Sequence, residues 1–320
     1  MHRRSLLVMP ALGALAAAPA AAQARVVRII SGSPPGGGVD TSARLFAEVL
    51  GPAFGESWIV ENRTGANGTI GSAFVARAEP DGRTLMCNSD SHLMVRGVMR
   101  SVPFDPIADF TPIVRLSVSP LVLVGGPRAT ARDFAGLMAE LRAAPDRHSF
   151  ANTSLGTSGH LATEVFRLES GLPLLIVTYR GTGPALQDVV AGQTTLMMAP
   201  LLSALPMIGG GLVKAYCVTG DARSAAAPDI PTAAEVGMPA LAPIAPWFAL
   251  WGPKGLPRPA VERVYAAVQV AARSEEMRRK LAEMGGDPVI GEDPDAFAAL
   301  IRARTAQGTE VLRRAGVQPE

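Results

Sequence analysis

A short apolar run, a glycine-bearing loop and a helix-like stretch follow one another in that order three times along this chain. The first unit runs from Val26-Val27-Arg28-Ile29-Ile30 through Ser31-Gly32-Ser33-Pro34-Pro35-Gly36-Gly37-Gly38-Val39-Asp40 into a helix-like stretch that starts at Thr41. The second carries Asn152-Thr153-Ser154-Leu155-Gly156-Thr157-Ser158-Gly159-His160, and the third Tyr179-Arg180-Gly181-Thr182-Gly183-Pro184. Strands alternating with helices in this way indicate an α/β fold with largely parallel sheets. Three adjacent glycines let the backbone approach a ligand and align successive N–H groups. The helix behind them adds unpaired amides and the positive end of its dipole. The result is a seat for a carboxylate or a phosphate. A tight turn that only packs a helix on its strand also fits, although three consecutive glycines exceed what that needs.

Several functional classes drop out. No Gly-Lys-Ser/Thr follows the first loop, so it is not a P-loop, and the GxGxxG dinucleotide spacing is absent. Neither HExxH, EF-hand nor zinc-type Cys/His spacing occurs, so neither a metal nor a cofactor is expected. Met1-His2-Arg3-Arg4 followed by an alanine-rich apolar run from Ser5 to Ala22 reads as a signal peptide, residues 1–24, cleaved after Ala24. Arg3-Arg4-Ser5-Leu6-Leu7 fits a twin-arginine signal and an ordinary basic leader alike. Removing the two leader arginines takes the formal charge from +2 to zero, which leaves no electrostatic footprint for nucleic acid. An exported neutral chain points to small solutes or other proteins as partners. Cys87 and Cys217 both sit in apolar strand-like runs, where buried free thiols are expected although the compartment permits a disulfide.

About 296 residues remain after cleavage, enough for two domains. The apolar run 113–124, stopped by Gly125-Gly126-Pro127, reads as the exit from a first lobe. Pro246-Trp247-Phe248-Ala249-Leu250-Trp251-Gly252-Pro253 reads as the strand that returns to it, followed by helices over 257–272, 274–284 and 293–315. This order assigns residues 25–124 and 245–320 to domain 1 and 125–244 to domain 2, with a ligand cleft between them.

The candidate ligand residues cluster on loops after strands. Asp40 stands in the first helical turn, either stabilising the helix or touching a ligand. Thr157, Ser158 and His160 open the second helix as caps or as a second grip on a carboxylate. Asn67 and Ser89 lie after strands, where open α/β sheets bind ligands, and Tyr179 could close over one. Gly156-Thr157-Ser158-Gly159-His160 is also one residue away from the G-x-S-x-G elbow of a serine hydrolase using Ser158, but no acid and base can be assigned to it.

Taken in order, the motifs carry a resemblance. They are Pro34-Pro35-Gly36-Gly37-Gly38-Val39-Asp40; Val60-Glu61-Asn62-Arg63 leading to Gly65-Ala66-Asn67-Gly68-Thr69; Pro80-Asp81-Gly82-Arg83; and Phe104-Asp105-Pro106. Gly156-Thr157-Ser158-Gly159-His160-Leu161, Ser203-Ala204-Leu205-Pro206 and Pro228-Asp229-Ile230-Pro231 complete the set. Over its mature length the chain resembles the Bug-type extracytoplasmic solute receptors of tripartite tricarboxylate transporters. The resemblance implies a two-lobed periplasmic binding protein of the type II, Venus-flytrap form. It implies that the glycine loop (Pro35, Gly37, Gly38) and the second loop (Thr157, Ser158) pinch a carboxylate. It also implies a monomer that docks on membrane transporter subunits, and no enzymatic activity. Members of the family often carry an Asp shortly before the Ser-Ala-Leu-Pro motif; here the stretch is Met197-Met198-Ala199-Pro200-Leu201-Leu202. Ala199 and Pro200 are therefore expected to give an apolar wall, favouring a carboxylate without an amino group.

Overall fold

The computed structural model describes residues 25–319 apart from positions 154, 180 and 285, so the leader and its cleavage site lie outside the described residues. The strands are β1 (Val26–Ser31), β2 (Ser57–Asn62), β3 (Thr84–Ser89), β4 (Phe110–Val118), β5 (Leu121–Gly125), β6 (Ser149–Asn152), β7 (Leu175–Thr178), β8 (Leu196–Pro200), β9 (Lys214–Val218), β10 (Trp247–Pro253) and β11 (Asp287–Pro288). The helices are α1 (Gly38–Phe54), α2 (Thr69–Ala76), α3 (Val95–Val98), α4 (Phe134–Ala143), α5 (Ser158–Ser170), α6 (Thr182–Val190), α7 (Leu201–Gly209), α8 (Arg258–Ala272), α9 (Glu275–Glu283) and α10 (Pro294–Ala315).

Two sheets form, one of six strands in the order β11-β4-β10-β3-β1-β2 and one of five in the order β7-β6-β8-β5-β9. Both are mixed rather than largely parallel. β1 pairs in parallel with β2 and β3, and β6 with β7 and β8, but β10, β11 and β5 pair antiparallel with their neighbours. The reason is the crossover: β4 runs toward the second lobe and β10 returns from it, so the two lie head to tail. A second correction concerns the boundary expected after Val124. The run 113–124 is two strands, and β5 already belongs to the second sheet. The chain crosses at Ser119-Pro120, where proline cannot continue a ladder.

Each lobe has its own core. Ile29, Leu85 and Leu250 pack against Phe46 and Leu50 of α1 and Val268 of α8 in the first. Leu123, Phe150 and Leu196 pack against Leu137 of α4 and Phe166 of α5 in the second. α10 spans both: Phe297 and Ile301 join Trp247 and Trp251 of the first lobe, while Val311 enters the core of the second. Its Gly308 lets Met94 of the first lobe lie directly against the helix, where a Cβ would displace the Met94 thioether. Cys87 and Cys217 are buried free thiols, one in each sheet.

Candidate functional site

The C-terminal ends of β1, β3, β6 and β8 face the crossover, and the helices that follow β1 and β6 begin there. In the first lobe, Gly37 is the N-cap of α1 and Gly38 its first helical residue. The loop leading to them is braced from beneath by Asp40, which is almost fully buried. Its carboxylate accepts from Gly36 N (2.9 Å), Arg44 Nε (3.0 Å) and Asn62 Nδ2 (2.7 Å). Asn62 Nδ2 also donates to Ser33 O (3.0 Å), and Ser33 Oγ accepts from Asp40 N (3.2 Å). Burial pushes the Asp40 carboxyl up, but the bonds from Arg44, Gly36 and Asn62 outweigh it and hold it below the usual carboxylate range. Asp40 is thus committed to the loop and to the start of α1, the structural one of its two sequence readings and not the ligand contact. Gly37 N donates to Pro34 O (3.0 Å). The amides of Gly38 and Val39 are then the first-turn donors of α1 with no acceptor among the described residues. Pro35 lies exposed on the rim of this loop.

Gly38 abuts Phe248 of β10; a Cβ there would stand 2.7 Å from Phe248 Cζ. Phe248 pairs in register with Ser89 at the end of β3, and Ser89 Oγ shares a 2.7 Å bond with Ser91 Oγ. Asp90 follows. Its carboxylate accepts from the Ser158 hydroxyl at the start of α5. This half-buried acid, directly after β3, therefore joins the first lobe to the second. Burial raises its pKa to about 6, against that hydrogen bond. Asp90, Trp247 and Ser158, with Arg304 and Gln307 of α10, line a cavity of about 40 Å³ between the lobes.

In the second lobe Thr157 caps α5, accepting from His160 N (3.2 Å) and sharing a 3.1 Å bond with Thr153 Oγ1. Ser158 is buried, and its only hydroxyl proton goes to Asp90, which leaves its backbone amide as the group it can offer an anion. Gly156 rests on Val98 and Met94 of the first lobe, its left-handed φ of +78° turning the chain into the helix.

The structure thus brings Gly37, Gly38, Ser89, Thr157 and Ser158 to one interlobe region. Asn67, exposed with φ 55°, lies beside it, since Gly68 backs onto Gly32. Three other candidates are corrected. His160 turns inward: Nδ1 accepts from Gly156 N (3.1 Å), and burial lowers its pKa to about 4. The Tyr179 hydroxyl donates to Asp188 (2.8 Å) on α6 and does not point to the cleft. Ala199 is fully buried in the apolar core under α6 and α7, so it walls nothing; Pro200 is half-buried as the lead-in to α7. Sequence reasoning puts Asn62 and Asp90 at strand ends but prefers Asn67 and Ser89 there, and it reads Phe248 only as part of the apolar return strand.

Comparison with known proteins agrees with this geometry. The sequence profile described as the tripartite tricarboxylate transporter family receptor matches residues 42–317. Protein BugT of Bordetella pertussis is 32% identical over 297 residues, 92% of this chain and 90% of that protein. Two solved structures from Rhodopseudomonas palustris superpose closely. One, determined with adipate, has a TM-score of 0.79 and 30% identity, over 92% of this chain and 99% of that one. The other, MatC with bound malate, has a TM-score of 0.75 and 29% identity, over 90% and 99%. The periplasmic binding protein BugD aligns with a TM-score of 0.76. With two α/β lobes, the paired helix starts between them and a profile match across nearly the whole chain, this protein belongs to the Bug-type branch of the tripartite tricarboxylate transporter receptor family.

Proposed function

We propose that this protein captures a small organic carboxylate between its lobes and delivers it to the membrane subunits of a tripartite tricarboxylate-type transporter. The observation that carries the reading is the convergence of two helix starts from different lobes. The α1 amides at Gly38 and Val39 and the α5 amides at Ser158 and Gly159 meet around Phe248, Ser89 and Asp90. Each start offers unpaired donors and a positive dipole end to an anion, and neither carries a metal-type ligand set. The two relatives determined with adipate and with malate hold dicarboxylates, anions of the kind such donors take. Asp40 gives an ammonium no partner, because Arg44 and Asn62 already hold its carboxylate. The protein acts as an exported monomer in the periplasm, released from its leader after Ala24.

A hydrolase using Ser158 is not favoured. Its hydroxyl donates to Asp90, and His160 Nδ1 accepts from Gly156, so the two are not arranged as nucleophile and base. The test is calorimetry and thermal shift with a panel of di- and tricarboxylates, aspartate and glutamate. A carboxylate at a hundred times its Kd adds about 2.7 kcal/mol of stability. Gly38→Ala should weaken that ligand at least tenfold by forcing Phe248 aside. Binding of aspartate in preference to every non-amino acid, or unchanged affinity in Gly38→Ala, would defeat the reading.

A further inference from the structure

Asn152 ends β6, and its side chain is buried with neither Oδ1 nor Nδ2 in a hydrogen bond. Its place in the fold is defined. Phe150, two residues earlier on the strand, packs on Phe166 of α5 (ring centroids 5.5 Å apart), and alternation puts Asn152 on that same face. The first turn of α5 lies over this strand end: a Cβ on Gly159 would stand 3.3 Å from Thr153 Oγ1 and 3.4 Å from Met198 O. Of the amides in that turn, His160 N is capped by Thr157, while Ser158 N and Gly159 N have no acceptor among the described residues. An orphaned carboxamide therefore sits beneath an orphaned helix start, on the lobe face that Ser158 and Asp90 hold against the first lobe. A buried amide left unpaired destabilises a fold, so its retention here calls for a partner from outside the chain.

We propose that Asn152 is the specificity-determining residue of the cleft, and that it selects a carboxylate bearing a hydroxyl on the adjacent carbon. This rests on the carboxylate-binding reading above and narrows it. A carboxamide has two donors and one acceptor oxygen. A bare carboxylate takes an Nδ2 proton but leaves Oδ1 unpaired. An ammonium satisfies Oδ1 but brings a charge that a neutral amide does not balance. A 2-hydroxycarboxylate does both: its carboxylate accepts from Nδ2 and its hydroxyl donates to Oδ1, while the remaining carboxylate oxygen meets the α5 amides. The ligand reaches the amide when the lobes part and the Ser158–Asp90 contact opens.

The test uses matched acids, malate against succinate and 2-hydroxyadipate against adipate, titrated calorimetrically into the whole mature protein, Asn152→Ala and Asn152→Leu. The wild type should favour each hydroxy acid at least tenfold, and both variants should bring that ratio to about one while still binding the unsubstituted acid. Asn152→Leu should also leave the unliganded melting temperature unchanged or raise it, since it removes an unpaired buried amide. A buried water bonded to Asn152 would give the opposite, a lower melting temperature with discrimination intact, and that result overturns the proposal. Equal affinity of the wild type for both members of each pair overturns it as well, with carboxylate capture left standing. If no carboxylate binds at all, the functional reading and this inference fail together.

Discussion

Asp40→Ala should loosen the first jaw in a measurable way. The carboxylate takes four contacts: Gly36 N, Arg44 Nε, Arg44 Nη2 (3.0 Å) and Asn62 Nδ2. Charge-assisted hydrogen bonds contribute about 1.5–3 kcal/mol each when their partners are buried. Arg44 is half exposed and regains water, so its two contacts count for little in the balance. The Gly36 amide and one Asn62 donor each lose a charged acceptor, at about 1.5 kcal/mol each because both lie near water. A net loss of about 3 kcal/mol follows, which corresponds to a fall of about 6–12 °C in melting temperature for a chain of this size. Calorimetric unfolding of the ligand-free protein measures it, and titration of the ligand alongside should show weaker binding, because Gly38 is no longer held in place. Asp40→Asn keeps an acceptor for Gly36 and should lose about half as much. The pH dependence has a definite sign. The folded pKa of Asp40 is depressed, so its contribution is present above the ordinary carboxyl pKa and is lost as pH falls through the lower folded value. Wild type and Asp40→Ala should therefore converge in stability in strong acid. A variant that loses ligand affinity while melting within 1–2 °C of wild type would refute the brace and restore Asp40 as a direct contact.

The opposite sign is expected at Asp90. Burial raises its folded pKa to about 6, so the stability that the protonated form contributes is full below the ordinary carboxyl pKa and is lost as pH rises through about 6. Relative to Asp90→Asn, the wild type should lose stability between about pH 4 and 6 and stay level above, as read by melting curves in matched buffers; parallel curves would contradict this. Ser158→Ala removes the interlobe hydrogen bond and should shift small-angle scattering of the ligand-free protein toward a larger radius, with an unaltered profile counting against the contact. Burial raises both thiol pKa values, that of Cys217 to about 12, so Cys87 and Cys217 should resist thiol reagents until the protein unfolds, and reductant should leave the melting temperature unchanged.

The helix starts were legible because their signals are local. A glycine loop precedes α1, and Thr157, Ser274 and Asp293 stand before α5, α9 and α10, where their side chains accept first-turn amides. α7 escaped notice because Pro206 interrupts a nine-residue uncharged stretch, and only the flanking core makes it helical. The Ser119-Pro120 crossing was hidden because periodicity reports apolar runs, and β4 and β5 are equally apolar although they join different sheets. The site residues divide in the same way. Gly37, Gly38 and Thr157 act through backbone and cap, which sequence shows. Whether Asp40, His160 and Tyr179 face a ligand depends on partners such as Arg44, Gly156 and Asp188, and only tertiary structure pairs them.

Two acids beside the proposed carboxylate seat, one buried and one half-buried, pose an electrostatic problem that the fold resolves differently for each. Asp40 stays charged, but Arg44 and Asn62 hold it and its field is spent inside the first jaw. Asp90 has no such cation bonded to it, although Arg304 lines the same cavity; its hydrogen-bond partner is the Ser158 hydroxyl, and burial has moved its pKa toward neutrality. A carboxylate arriving at the Ser158 and Gly38 amides would meet repulsion from an ionised Asp90 and none from a protonated one. By linkage, an anion bound there must raise the Asp90 pKa further, so capture takes up a proton over the range in which Asp90 titrates. In the proposed site, the side chain that ties the lobes together through Ser158 would also take up that proton. A neutral residue at position 90 that still accepts from Ser158 would keep the contact and lose the proton uptake.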